Sequence, residues 1–143
     1  MAQSIEDSVK QVRKIVRSIQ GIRSAPAGVP ENDQGIYPFF VAWNGGGDIA
    51  TRDNSFQTGL WTITGQLHFS RADLFRAEEF ASAFPELIVN ELLSQTNYNL
   101  GGFCETFGNI VVSRFQPMAW GDIQTIGYEF TINEVKINKT RNT

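Results

Sequence analysis

The chain has 143 residues, a formal net charge of −3 and one cysteine. That length is most simply one domain with a core large enough to hold without staples. The single cysteine excludes an internal disulfide framework and a CxxC metal or redox motif, and the mild acidity argues against general nucleic-acid binding, which draws on a basic surface.

From the N-terminus, Ser4 to Ile22 reads as an amphipathic helix, because Ile5, Val9, Val12, Val16 and Ile19 recur at alternating intervals of four and three. Ser4 is the expected N-cap, Glu6 and Asp7 suit the positive end of the helix dipole, and the expected stop is Gly21, or Gly28 after the firmer interruption at Pro26. Ser24 to Gly35, with Pro26, Gly28, Pro30, Asn32 and Asp33, reads as a loop. A strand dense in bulky side chains follows from Tyr37 to Trp43, with Pro38 near its start. Asn44-Gly45-Gly46-Gly47-Asp48 then opens a loop to about Ser55, the long tip of a hairpin whose second strand runs from Gly59 to Ser70. In that strand Trp61, Ile63, Leu67 and Phe69 alternate with Thr62, Thr64, Gln66 and His68.

Arg71 to Ser94 reads as helical, with Phe80, Phe84, Ile88 and Leu92 four apart and Leu87 beside them; Pro85 inside the run predicts a kink or two abutting helices. Thr96 to Gly108 is polar and glycine-rich, hence loop, and Asn109 to Phe115 is a short strand. Gln116 to Gly121 reads as a turn before a last strand from Thr125 to Ile137, in which Ile126, Tyr128, Phe130 and Ile132 alternate with Gly127, Glu129, Thr131 and Asn133. The apolar phase slips between Ile132 and Val135, which predicts a bulge. The expected fold is α+β: an antiparallel four-stranded sheet with helices on one face, in the order α-β-β-α-β-β. Residues 1–137 form the domain and residues 138–143 a loose tail.

Chemistry is sparse. His68 and Cys104 sit in different elements, and the sequence places no nucleophile beside the histidine. The glycine triplet lacks the lysine and hydroxyl of a phosphate loop, and Asp48 and Asp53 with Glu31 and Asp33 do not have calcium-loop spacing. No catalytic residue, cofactor or metal is expected. No apolar run reaches the roughly twenty residues of a membrane span, the first residues do not read as a secretory signal, and the Asn138-Lys139-Thr140 sequon is read as chance. Charge is more informative. Lys10, Arg13, Lys14 and Arg17 share the face of the first helix opposite its apolar stripe, while the second helical run carries Glu78, Glu79, Glu86 and Glu91. Two solvated faces explain this, and so do complementary contacts between subunits, where opposite charges fix register.

Three stretches carry a family likeness. Gly21-Ile22-Arg23 ends the first helix ahead of a proline-rich loop and the Pro38 to Trp43 strand. The strand from Trp61 to Phe69 leads into Arg71-Ala72-Asp73-Leu74. Trp120-Gly121 precedes Thr125-Ile126-Gly127-Tyr128-Glu129-Phe130-Thr131-Ile132. In these, and in element order over nearly the whole chain, the protein resembles the tail terminator (tail completion, minor tail) proteins of long-tailed bacteriophages; the Gly45-Gly46-Gly47 loop departs from them. The resemblance implies a non-enzymatic virion subunit, made in the host cytoplasm, that forms a hexameric ring at the head-proximal end of the tail. Such a ring caps the tail tube, meets the head-tail connector and lets DNA pass. In it, Lys10, Arg13, Lys14, Arg17, Glu78 and Glu79 are candidate subunit contacts, and Asp48 and Asp53 a candidate acidic lumen loop that repels DNA. A head-completion or tail-tube subunit is the nearest alternative; a small-ligand domain or a nucleic-acid-binding module using the basic helix face are more distant ones.

Overall fold

The computed structural model describes residues 3–26, 36–51, 56–70, 81–94, 96–121 and 123–140. These build an α+β fold from two helices, α1 (Ile5–Arg17) and α2 (Phe84–Leu92), and five strands: β1 (Phe39–Thr51), β2 (Phe56–Ser70), β3 (Ile110–Val112), β4 (Gln116–Trp120) and β5 (Ile123–Thr140). The strand order is β1-β2-β5-β3, with β4 also on β5, and every ladder is antiparallel. The described element order is therefore α-β-β-α-β-β-β, one strand more than expected.

Helix α1 begins where its cap dictates. The Ser4 hydroxyl accepts a hydrogen bond from the Asp7 amide at 3.4 Å, with Glu6 and Asp7 in the first turn and Lys14 and Arg17 in the last. It stops at Arg17, short of Ile22, and the chain turns through Gly21 at a φ of 101°. Val9, Val12, Ile15 and Val16 are buried against the sheet. Helix α2 starts at Phe84, with Pro85 in its first turn. A proline there forfeits no intrahelical hydrogen bond, so it opens the helix instead of kinking it. Phe84, Ile88 and Leu92 form the buried stripe, whereas Leu87 is exposed; Phe80 lies outside the described residues.

The remaining differences come from glycine and proline inside strands. Gly45 to Gly47 is a bulge within β1, where the register with β2 shifts between Asn44 and Gly47. Gly46 has a φ of 104°, and a Cβ on Gly47 would come within 2.6 Å of the Leu60 carbonyl oxygen. The glycines thus allow close approach of the two strands, and the hairpin continues beyond them to Thr51 and Phe56. Gln116 to Trp120 is a strand, not a turn, because Pro117 lies on the side of β4 facing away from β5, where a missing N–H costs no ladder bond. The β5 bulge falls where the apolar phase slips: Trp61 pairs with Val135 and Ile63 with Ile132, and Glu134 has a φ of 56°. Strand β5 also runs through Asn138 to Thr140, so those residues are not a loose tail. The Asn138 amide donates to Gln3 Oε1 at 2.7 Å and its side chain accepts from Thr58 Oγ1 at 3.0 Å.

One core lies between the helices and one face of the sheet. Phe40, Ile63, Leu67, Phe69, Tyr128 and Phe130 meet Val12, Val16, Phe84 and Ile88 there, with Phe40 and Phe130 edge to face at 6.3 Å. The opposite face is not a uniformly solvated surface. His68, expected on a polar phase, is fully buried with Phe39, and Trp120 packs on both rings at 5.9 and 6.4 Å.

Candidate assembly surface

The candidate surface is built from the edge of β1. Sheet order leaves β1 with β2 on one side only, so its other side must find partners or face water. Near its start the edge is covered. The Ser24 and Arg23 amides donate to the Pro38 carbonyl at 3.1 Å, and the Phe40 amide donates to the Ser24 carbonyl at 2.8 Å. The Arg13 guanidinium, reaching across from α1, donates from Nε at 3.0 Å and Nη2 at 2.6 Å to the Ala42 carbonyl. Among the described residues this cover ends beyond Asn44.

The bulge exchanges which residues point outward. Before it, Phe40 and Ala42 use their backbone groups on the free side. After it, Asp48 and Ala50 turn towards their β2 partners Leu60 and Thr58, which leaves the N–H and C=O of Gly47, Ile49 and Thr51 outward. Among the described residues nothing hydrogen-bonds to that stretch from outside. It belongs to an arm of three strands (β1, β2 and β5), with Ile49 55% exposed and Leu60 50% exposed. A small open groove lies on the helix-side face of the arm, lined by Ile5, Ile49, Gly59, Trp61, Ile137 and Lys139. The arm is the feature sequence reading missed. Its signal was Ile49-Ala50-Thr51, a short β-compatible run masked by the glycines before it.

The charged residues are placed differently from expectation. Arg13 is not on a solvated face: it is buried, and burial lowers its pKa from the ordinary arginine value. Arg17 donates from Nε to the Ala25 carbonyl at 3.1 Å, and Lys10 pairs with Glu6 at 3.3 Å, both on the chain's own groups. The four basic residues therefore do not form one free cationic patch; Lys14 is exposed on α1, as are Glu86 and Glu91 on α2. Glu78, Glu79 and Asp53 lie outside the described residues, as do Glu31 and Asp33. Asp48 is exposed but stands on β1 opposite Leu60, not in a loop.

His68 and Cys104 are not brought together. Cys104 belongs to the helix-side core, while His68 lies on the other face with Nδ1 2.6 Å from Thr125 Oγ1 and Nε2 3.1 Å from Gln66 Oε1. Burial pushes the Cys104 thiol up to about 12. We expect a thiol reagent at pH 8 to leave the folded protein unlabelled and to react fully once urea unfolds it. Rapid labelling of native protein would show that the site opens. The sign for stability follows: the unfolded thiol ionises above its ordinary value of 9.0 while the folded one keeps its proton, so this group's contribution falls as pH rises from 9.0 to about 12.

Among the described residues no group of three or more His, Cys, Asp and Glu side chains could hold a metal ion, and no helix is long and apolar enough to cross a membrane. Compared with known proteins, the chain matches no family model and no curated protein.

Proposed function

We propose that the protein is a virion structural subunit, a ring-forming tail terminator that caps the tail tube and joins it to the head connector. The observation that carries this reading is the end of the sheet formed by β1, β2 and β5, where among the described residues the β1 edge from Gly47 to Thr51 is unpaired and lies beside exposed apolar side chains. Contact-making backbone and apolar surface of that kind serve association between chains. The family likeness at Trp120-Gly121 and along Thr125 to Ile132 supports it as well: Gly121, at a φ of 61°, turns β4 into β5, and Trp120 packs against Phe39, Trp43 and His68. These residues fix the sheet from which the arm extends. In the ring, head-to-tail contacts repeat one pair of surfaces around a closed circle. Lys14 on α1 and Glu86 and Glu91 on α2 are the charges available to set that register.

The test is assembly in the presence of tail tubes. Tail-tube subunits polymerising alone should give long tubes by electron microscopy. Adding the protein should yield tubes that stop growing and carry a hexameric ring at one end. Stacking of the protein into long tubes of its own would favour the tail-tube alternative, and no association with tube ends would overturn the terminator reading.

A further inference from the structure

We propose that in the free protein the open edge of β1 pairs with the same edge of a second copy, antiparallel and about a two-fold axis centred on Ile49. An edge of unpaired N–H and C=O groups is completed best by another strand edge of matching length. The other edges within the described sheet are poor candidates. On β4 the outward positions are Pro117 and Ala119, so proline removes a donor, and β3 spans only Ile110–Val112. That leaves β1 itself, and an edge that meets its own copy makes an isologous contact.

The register follows from the outward positions and from charge. Antiparallel pairing must match outward residues with outward residues, and these are Gly47, Ile49 and Thr51. Centring on Ile49 sets Ile49 against Ile49 of the second copy, Gly47 against Thr51, and Asp48 against Ala50. Centring on Asp48 would instead set two carboxylates directly opposite each other, which disfavours that register, and centring on Ala50 would pair only Ile49 with Thr51 and leave Gly47 without a partner in this stretch. In the Ile49 register the exposed isoleucines become cross-strand neighbours beside the groove edged by Trp61 and Ile137. The two five-stranded sheets then join into one. This pairing does not rest on the terminator reading. It uses the same edge twice and ends at two subunits, so the pair must separate before that edge can serve a head-to-tail ring.

The experiment is mass by light scattering and sedimentation of the purified protein, without tail tubes, through the micromolar range. The mass should rise from one subunit towards two and stop there. Ile49→Pro removes an N–H that points away from β2, so it should hold the mass at one subunit while circular dichroism stays that of the parent. Ile49→Cys under mild oxidation should give a cross-linked dimer, and Leu60→Cys, on the neighbouring strand, should not; this pair decides the matter if the proline variant misfolds. A wild-type mass of one subunit throughout, a dimer that persists unchanged in Ile49→Pro, or no cross-link at position 49 each overturns the pairing. A failed ring assay with tail tubes would leave these results untouched, so the two readings fail separately.

Discussion

Replacing Gly127 by alanine should cost roughly 3 kcal/mol, near the upper end for inserting one methyl group into a packed interior. Gly127 sits in the middle of β5, opposite His68 on β2 and Gln116 on β4. A Cβ there would lie 1.8 Å from the Leu67 carbonyl oxygen. That oxygen is backbone in the neighbouring strand and cannot rotate aside, so β5 and β2 must separate in the longest ladder of the fold. Gly65 is the comparison. Its Cβ would meet the Phe40 ring at 2.8 Å, and a ring can turn within its pocket, so Gly65→Ala should cost about 1–2 kcal/mol. Urea unfolding checks both. With a slope of about 1–3 kcal/mol per molar for a small protein, Gly127→Ala should lower the midpoint by about 1 M or more. A midpoint within experimental error of the parent would show that the strands are not held as closely as described.

Gly127 also marks the limit of what sequence could reveal. Alternation along Thr125 to Ile137 exposed the strand, its inward set and its bulge, because side-chain period and burial coincide there. The α1 stripe was legible for the same reason. Glycine and proline were harder, since each has two structural uses and the neighbouring residues do not say which applies. Gly45 to Gly47 serves close approach in a bulge and not a hairpin tip. Pro117 sits on an outward edge, and Pro85 in a first turn. His68 falls on the polar phase of its strand, and alternation identifies two faces of a strand but not what covers the second. Here Phe39 and Trp120 do. The candidate assembly surface was the least legible part. It depends on which strand ends at the sheet's edge and which way its backbone groups turn after a bulge, and both follow from register rather than composition.

Arg13 belongs to the same lesson, and its replacement carries the second large effect. A helical wheel counts arginine as polar and turns it to solvent, yet its aliphatic stem can line a core while the guanidinium reaches a polar group. In α1 it reaches the Ala42 carbonyl with two donors and ties the helix to the β1 edge just before that edge opens. Arg13→Ala should therefore cost about 2–3 kcal/mol: the carbonyl loses a charge-assisted partner in a buried setting, and the stem leaves a gap. Arg13→Lys keeps the charge but gives up the planar fork, so it should recover only part of the loss. Lys14→Ala, next along the helix but exposed, should change stability by no more than about 0.5 kcal/mol. Urea midpoints rank the three. The ranking also governs how assembly data are read, because an Arg13 variant that fails to associate has lost the strut between α1 and β1, whereas a Lys14 variant that fails has lost an exposed charge with the fold intact. Equal midpoints for Arg13→Ala and Lys14→Ala would contradict the buried placement of Arg13 and return it to the helix's outer face.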